Sequence, residues 1–92
     1  MKQINWNAEK NQSLMEERGI SFEDIVFSMQ QGDLLDDLSH PNNDKYPNQR
    51  LFVVDVENYV HLVPYVENED EIFLKTIIPS RKATKKYLRG GI

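Results

Sequence analysis

Ninety-two residues, 39% of them apolar, suffice for one small core and exclude two independent ones, so a single domain over 1–92 is expected. The absence of cysteine excludes a disulfide scaffold, a thiolate nucleophile and a cysteine-ligated metal. No apolar run approaches the roughly 18 residues of a membrane span, and Met1-Lys2-Gln3-Ile4-Asn5-Trp6 lacks the apolar stretch of a signal peptide, so a soluble, cytoplasmic protein is expected.

In chain order, Ile4-Asn5-Trp6 can supply a short strand. Asn7 has the side chain of an N-cap for a helix through Arg18, and Gly19 supplies the left-handed residue that ends it. Ser21 with Asp24 three residues on forms a capping-box pattern, with Ile20 and Ile25 spaced as a hydrophobic staple around it. Phe22, Ile25, Val26 and Met29 then fall at i, i+3, i+4 and i+7, which predicts an amphipathic helix ending near Gly32 with that stripe buried. Leu34 to Leu38 reads as a short edge strand, and 40–48, with two prolines and three asparagines, as a loop.

Three β-rich runs follow, at 50–56, 60–66 and 71–78, joined by short polar connections that predict an antiparallel meander. Pro64 within the middle run donates no ladder bond and predicts a bulge or an exposed stretch. Pro79-Ser80 ends the last strand, and Ser80 caps a final helix that Ala83, Tyr87 and Leu88 can pack onto the sheet. The expected class is α+β, an antiparallel meander packed with N-terminal helices and a basic C-terminal helix.

The net charge of −4 hides a polarity along the chain. All fifteen acids lie before residue 75, whereas Lys75, Arg81, Lys82, Lys85, Lys86 and Arg89 follow with no acid among them. Such asymmetry prepares a surface for a polyanion or an acidic protein partner, although a short basic run is as often a solvated helix face. No phosphate-binding glycine loop, His-Glu-x-x-His or nucleophile elbow is present. Neither His40 nor His61 has acids at metal-ligand spacing, so no metal and no cofactor is expected.

What remains is cationic. Backbone N–H groups at a helix N-terminus favour an anion, and Ser80, Arg81 and Lys82 would stand around it. Arg81 offers a two-pronged fork to a phosphate, with Lys85 one turn later, and Arg50, opening the first meander strand, can face the same region. Fixed cations of this kind can stabilise a phosphorane-like transition state, or can bind nucleic acid passively; the residues alone do not separate the two.

Trp6-Asn7-Ala8-Glu9-Lys10-Asn11, Arg18-Gly19-Ile20-Ser21-Phe22-Glu23-Asp24 and Ile77-Ile78-Pro79-Ser80-Arg81-Lys82-Ala83-Thr84 together resemble the BrnT family of toxins. That family reads Trp-Asp-x-x-Lys, His-Gly-Val-Ser-Phe-Glu-Glu and Ile-Ile-Ser-Ala-Arg-Lys-Ala in the same order, and the resemblance runs from about Ile4 to Leu88. Arg18 stands where the family has His, Thr76 where the last strand carries a basic residue, and Pro79 where Ser is usual.

The resemblance implies a RelE-like fold and a bacterial type II toxin, an endoribonuclease that activates the ribose 2′-OH without metal. It further implies neutralisation by a cognate antitoxin, of the ribbon-helix-helix kind. By position Arg81 and Arg50 would hold the scissile phosphate, and Lys75, Lys82, Lys85 and Lys86 would guide the RNA. His61 and Tyr65 share one strand face and are the candidates for proton transfer, His61 foremost. The rival reading is a non-catalytic domain of the same fold that holds RNA or an acidic partner through the same basic helix.

Overall fold

A computed structural model describes residues 2–39, 44–45 and 48–90. After the short strand β1 (Gln3–Trp6), the side-chain oxygen of Asn7 accepts from the Lys10 N–H at 2.9 Å and opens helix α1 (Ala8–Arg18). Gly19 closes it at φ +66°, a conformation that costs glycine least. Helix α2 (Phe22–Gln30) begins with both halves of its capping box made: Ser21 Oγ accepts from the Asp24 N–H at 3.1 Å, and Asp24 Oδ2 from the Ser21 N–H at 3.0 Å. The buried Asn11 joins the two helices, accepting from the Phe22 N–H and donating to Glu23, both at 2.7 Å. That donation holds the Glu23 carboxyl below the usual carboxylate range.

Strands β2 (Leu34–Ser39), β3 (Gln49–Val56), β4 (Tyr59–Glu67), β5 (Glu71–Leu74) and β6 (Ile78–Pro79) precede helix α3 (Arg81–Leu88). The sheet order is β1-β5-β4-β3-β2, with β6 also paired to β4. The chain is thus α+β, with three helices and a mixed six-stranded sheet among the described residues. The meander β3-β4-β5 is antiparallel, as its short connections require; β1 adds in parallel beside β5, with Gln3 opposite Glu71.

The run 71–78, expected as one strand, is two. The Pro64 carbonyl accepts from the Lys75 N–H at 2.8 Å, so the nitrogen of Pro64 faces the same neighbour and has no hydrogen to return. The ladder stops there. Ile77 turns into the core, and β6 resumes on β4 with Pro79 opposite His61. The effect of Pro64 is therefore a break in the adjoining strand, while Pro64 itself is buried.

Alternation along β3 and β4 gives the sheet two packed faces. On one, Phe52, Val54, Val63, Tyr65 and Leu74 meet Leu14, Ile20, Phe22 and Ile25, with Trp6 stacked on Phe22 at 5.6 Å. Phe22 and Ile25 are fully enclosed; Val26 and Met29, expected to be buried with them, are half-buried at the core's margin. Helix α3 crosses the other face. Thr84 Oγ1 accepts from the Val60 N–H at 2.9 Å, and the Tyr87 hydroxyl donates to Asp36 on β2 at 2.8 Å. A bulge between Leu34 and Asp36 gives β2 its register, with Asp36 opposite the enclosed Val53. Most of the expected loop 40–48 lies outside the described residues. Among those described, no helix is long and apolar enough to cross a membrane.

The β3–β4 hairpin closes through Glu57 and Asn58, at φ +52° and +68°. Two positive φ values match the twist of a two-residue hairpin, but an L side chain such as Glu57 is strained there. Replacing the pair by Asn-Gly is expected to stabilise the fold by about 1 kcal/mol in urea unfolding. An unchanged midpoint would show that the turn stores no strain.

Candidate functional site

The register of β4 divides the residues named from sequence between two places. Arg50 lies opposite Tyr65, whereas His61 lies opposite Pro79, two residues before Arg81. Four residues of strand, about 13 Å, separate the two positions along β4. Arg50 and Arg81 are therefore not brought together, contrary to the expectation of one shared phosphate site.

Arg50 is engaged locally. Its Nε donates to Asp37 Oδ1 and to the Tyr65 hydroxyl, each at 3.1 Å, and its Nη2 reaches the Asp37 carbonyl at 3.3 Å. The Tyr65 hydroxyl in turn donates to Asp37 Oδ1 at 2.7 Å. Burial first, and then this bond to Asp37, push the Tyr65 phenol up to about 12. A phenol so held is a poor proton carrier near neutrality. Tyr65 thus joins Arg50 in a network at the far end of β4, apart from His61.

His61 belongs to a different environment. It lines a cleft of about 630 Å³ between the C-terminus of α1, the outer side of α2 and the β3–β4 hairpin. Arg18, Ile20, Phe27, Asp33, Glu57 and Tyr59 also line this cleft. Arg18 is fixed there by a 2.7 Å hydrogen bond from Nη1 to the carbonyl of Ile77, which ties α1 to the segment leading into β6. His61 Nδ1 donates to the Tyr59 carbonyl at 3.0 Å, a bond that leaves Nε2 as the acceptor of a neutral ring. Burial depresses the His61 pKa below its ordinary 6.5, against weaker opposing effects of the Tyr59 carbonyl and the Asp55 charge. The ring is accordingly neutral at physiological pH. The Tyr59 ring meets it edge-on at 5.7 Å.

Tyr59 also walls a second, smaller groove of about 280 Å³, formed with Arg81, Thr84, Lys85 and Arg89. Here the sequence order is realised as geometry. Ser80 Oγ accepts from the Ala83 N–H at 3.0 Å and caps α3, so Arg81, Lys85 and Arg89 fall at i, i+4 and i+8 along one side. Lys82 and Lys86 are exposed on the adjacent side, with Lys86 5.4 Å from the Tyr87 ring. Lys75 follows β5 with its ammonium 5.9 Å from the Phe73 ring and lines neither the cleft nor the groove. Among the described residues, no group of three or more His, Asp or Glu is gathered that could hold a metal ion.

Three members of this arrangement, Arg18, Tyr59 and Phe27, were not singled out as site residues by sequence reasoning. Arg18 carried a signal, standing before Gly19 where the resembled family has His. Tyr59 carried a weaker one, two residues before His61 and so on the same strand face. Phe27 falls outside the apolar stripe of α2 and is 60% exposed, which only the fold reveals. No family model, curated protein or solved structure matches the chain.

Proposed function

We propose that this chain is a BrnT-like toxin of RelE-like fold from a bacterial type II toxin–antitoxin pair, an endoribonuclease neutralised by a cognate ribbon-helix-helix antitoxin. One observation carries the reading: the cleft holding a neutral histidine and a fixed arginine adjoins, at Tyr59, a groove lined by Arg81 and Lys85 of α3 and by Arg89 just past its end. His61 Nε2 accepts the proton of a ribose 2′-OH, and the O2′ so activated attacks the adjacent phosphorus. A 2′,3′-cyclic phosphate forms as the P–O5′ bond breaks, and the departing 5′-oxygen takes a proton from water. Arg81 meets the charge that gathers on the phosphoryl oxygens in the transition state, while Arg18, bound to the Ile77 carbonyl, holds the wall of the cleft beside His61. Lys82, Lys85, Lys86 and Arg89 attract the strand.

A second reading is favoured by one specific feature. Asp24, Asp33 and Glu57 bring negative charge into the cleft, which opposes a phosphate there, whereas α3 is cationic by itself. On that reading the domain holds RNA, or an acidic antitoxin, without cutting. Induced expression with and without the neighbouring gene, following growth and RNA integrity, tests the proposal. Growth arrest with RNA loss is expected, relieved by the antitoxin and by Arg81→Ala, and barely restored by Arg81→Lys, because a fork and a point charge meet a phosphate differently. Normal growth with intact RNA at verified expression would overturn it. A Lys variant equal to wild type would favour passive binding.

A further inference from the structure

We infer that the cleft beside His61 receives one unpaired guanine base of a single-stranded RNA, while the phosphates on either side stay outside it on the α3 groove. The inference deepens the nuclease reading by naming its substrate class, and it rests on that reading for the identity of the polymer. Four features of the cleft point to a base. Two aromatic rings line it and remain open to solvent, Phe27 at 60% and Tyr59 at 37% exposure. Unstacked bases are held on such rings, and every base offers a face to them. The volume of about 630 Å³ is in the range of sites for small organic groups, about 300–1,000 Å³.

Charge differs between the two depressions: in the cleft Arg18 is committed to the Ile77 carbonyl and Asp24 to the Ser21 N–H, and the acids outnumber the cation. The groove is lined by Arg81, Lys85 and Arg89, but the cleft contains Asp33 and Glu57, whose carboxylates have no hydrogen-bond or ion-pair partner among the described residues. Ionised carboxylates repel phosphate and accept hydrogen bonds only. Guanine alone among the four bases presents two adjacent donors, N1–H and the N2 amino group, on its Watson–Crick edge. Adenine, cytosine and uracil each place an acceptor beside their donor, which a carboxylate meets with repulsion. Finally, Glu57 is held at φ +52°, so the backbone keeps a strained acidic residue at this rim. A base in a duplex has its Watson–Crick edge already occupied, so the strand must be single.

The test uses uncleavable 2′-O-methyl pentanucleotides, U-U-X-U-U with X guanine, adenine, cytosine, uracil or inosine, titrated against the full chain by fluorescence anisotropy. Guanine is expected to bind about tenfold tighter than adenine, the scale of one well-made base-edge pair, with inosine between them because it lacks the N2 donor. The double variant Asp33→Asn, Glu57→Gln should abolish the guanine preference while retaining salt-dependent binding. Phe27→Ala should weaken the guanine strand about tenfold, as loss of one stacking ring does. Equal wild-type affinity for all five strands, or a guanine preference unchanged in both variants, would overturn the inference and leave the nuclease reading standing. Guanine-selective binding without cleavage of the matching ribonucleotide strand would support the inference and sink the nuclease reading. Absence of binding to any strand at low salt would overturn both.

Discussion

Replacing His61 with alanine is expected to lower RNA cleavage by about 10²–10⁴-fold, the usual contribution of a positioned general base. The expectation rests on the ring's setting: Nδ1 is committed to the Tyr59 carbonyl, so Nε2 is the acceptor, and burial keeps it unprotonated. The pH dependence follows in sign. A base whose pKa is depressed below 6.5 is already active through the neutral range, so kcat/KM should climb with pH through a midpoint below that value and then level off. The same depression makes the fold bind fewer protons than the unfolded chain in that window, so the contribution of His61 to stability is fully present above pH 6.5 and is lost as pH falls through the folded-state pKa. A pH–rate profile that falls across the same window would make His61 an acid instead. One that does not move in the alanine variant would remove it from the chemistry.

The second large effect is structural. Phe22→Ala is expected to destabilise the fold by about 3–5 kcal/mol in urea unfolding, since a fully enclosed ring is exchanged for a cavity. Phe22 is the hinge of the packing: its ring stacks on Trp6, its backbone N–H is bound by Asn11, and it opens α2 immediately after the Ser21 cap. Removing it loosens β1, α1 and α2 together. A loss below about 1 kcal/mol would mean that the site collapses around the smaller side chain and that the core is not held here.

The features that were legible in the sequence are local ones. Asn7, Gly19, Ser21 with Asp24, and Ser80 each announce a helix boundary through their own backbone chemistry, and each does so in the structure. The meander was legible because Glu57-Asn58 and the polar stretch from Asn68 leave room for nothing but a return strand. Parallel pairing of β1 with β5 was not, because Gln3 meets Glu71 across most of the chain and no local signal fixes that choice. The consequence of Pro64 was half legible: a missing donor is visible in the sequence, but which neighbour needs it depends on which side of β4 that nitrogen faces.

The position of Arg50 follows from the strand order. In an antiparallel meander the start of β3 lies beside the end of β4, and the end of the last strand lies beside the start of β4. Residues that begin β3 and begin α3 must then stand at opposite ends, as Arg50 opposite Tyr65 and Pro79 opposite His61 now do. The predicted strand order contained that separation. His61 lines the cleft and Arg81 the groove, the two depressions sharing Tyr59 at the start of β4, and Arg18 reaches the cleft because α1 ends at the same end of the sheet.

The most direct test is to incubate the purified chain with a guanine-containing single-stranded RNA in excess EDTA and to read the new ends by mass spectrometry. The account predicts fragments ending in 2′,3′-cyclic phosphate with matching 5′-hydroxyl partners, formed by the wild type and reduced at least about 10²-fold with His61→Ala. Intact RNA under conditions where the same protein demonstrably binds the strand would contradict it, as would fragments produced equally by the alanine variant.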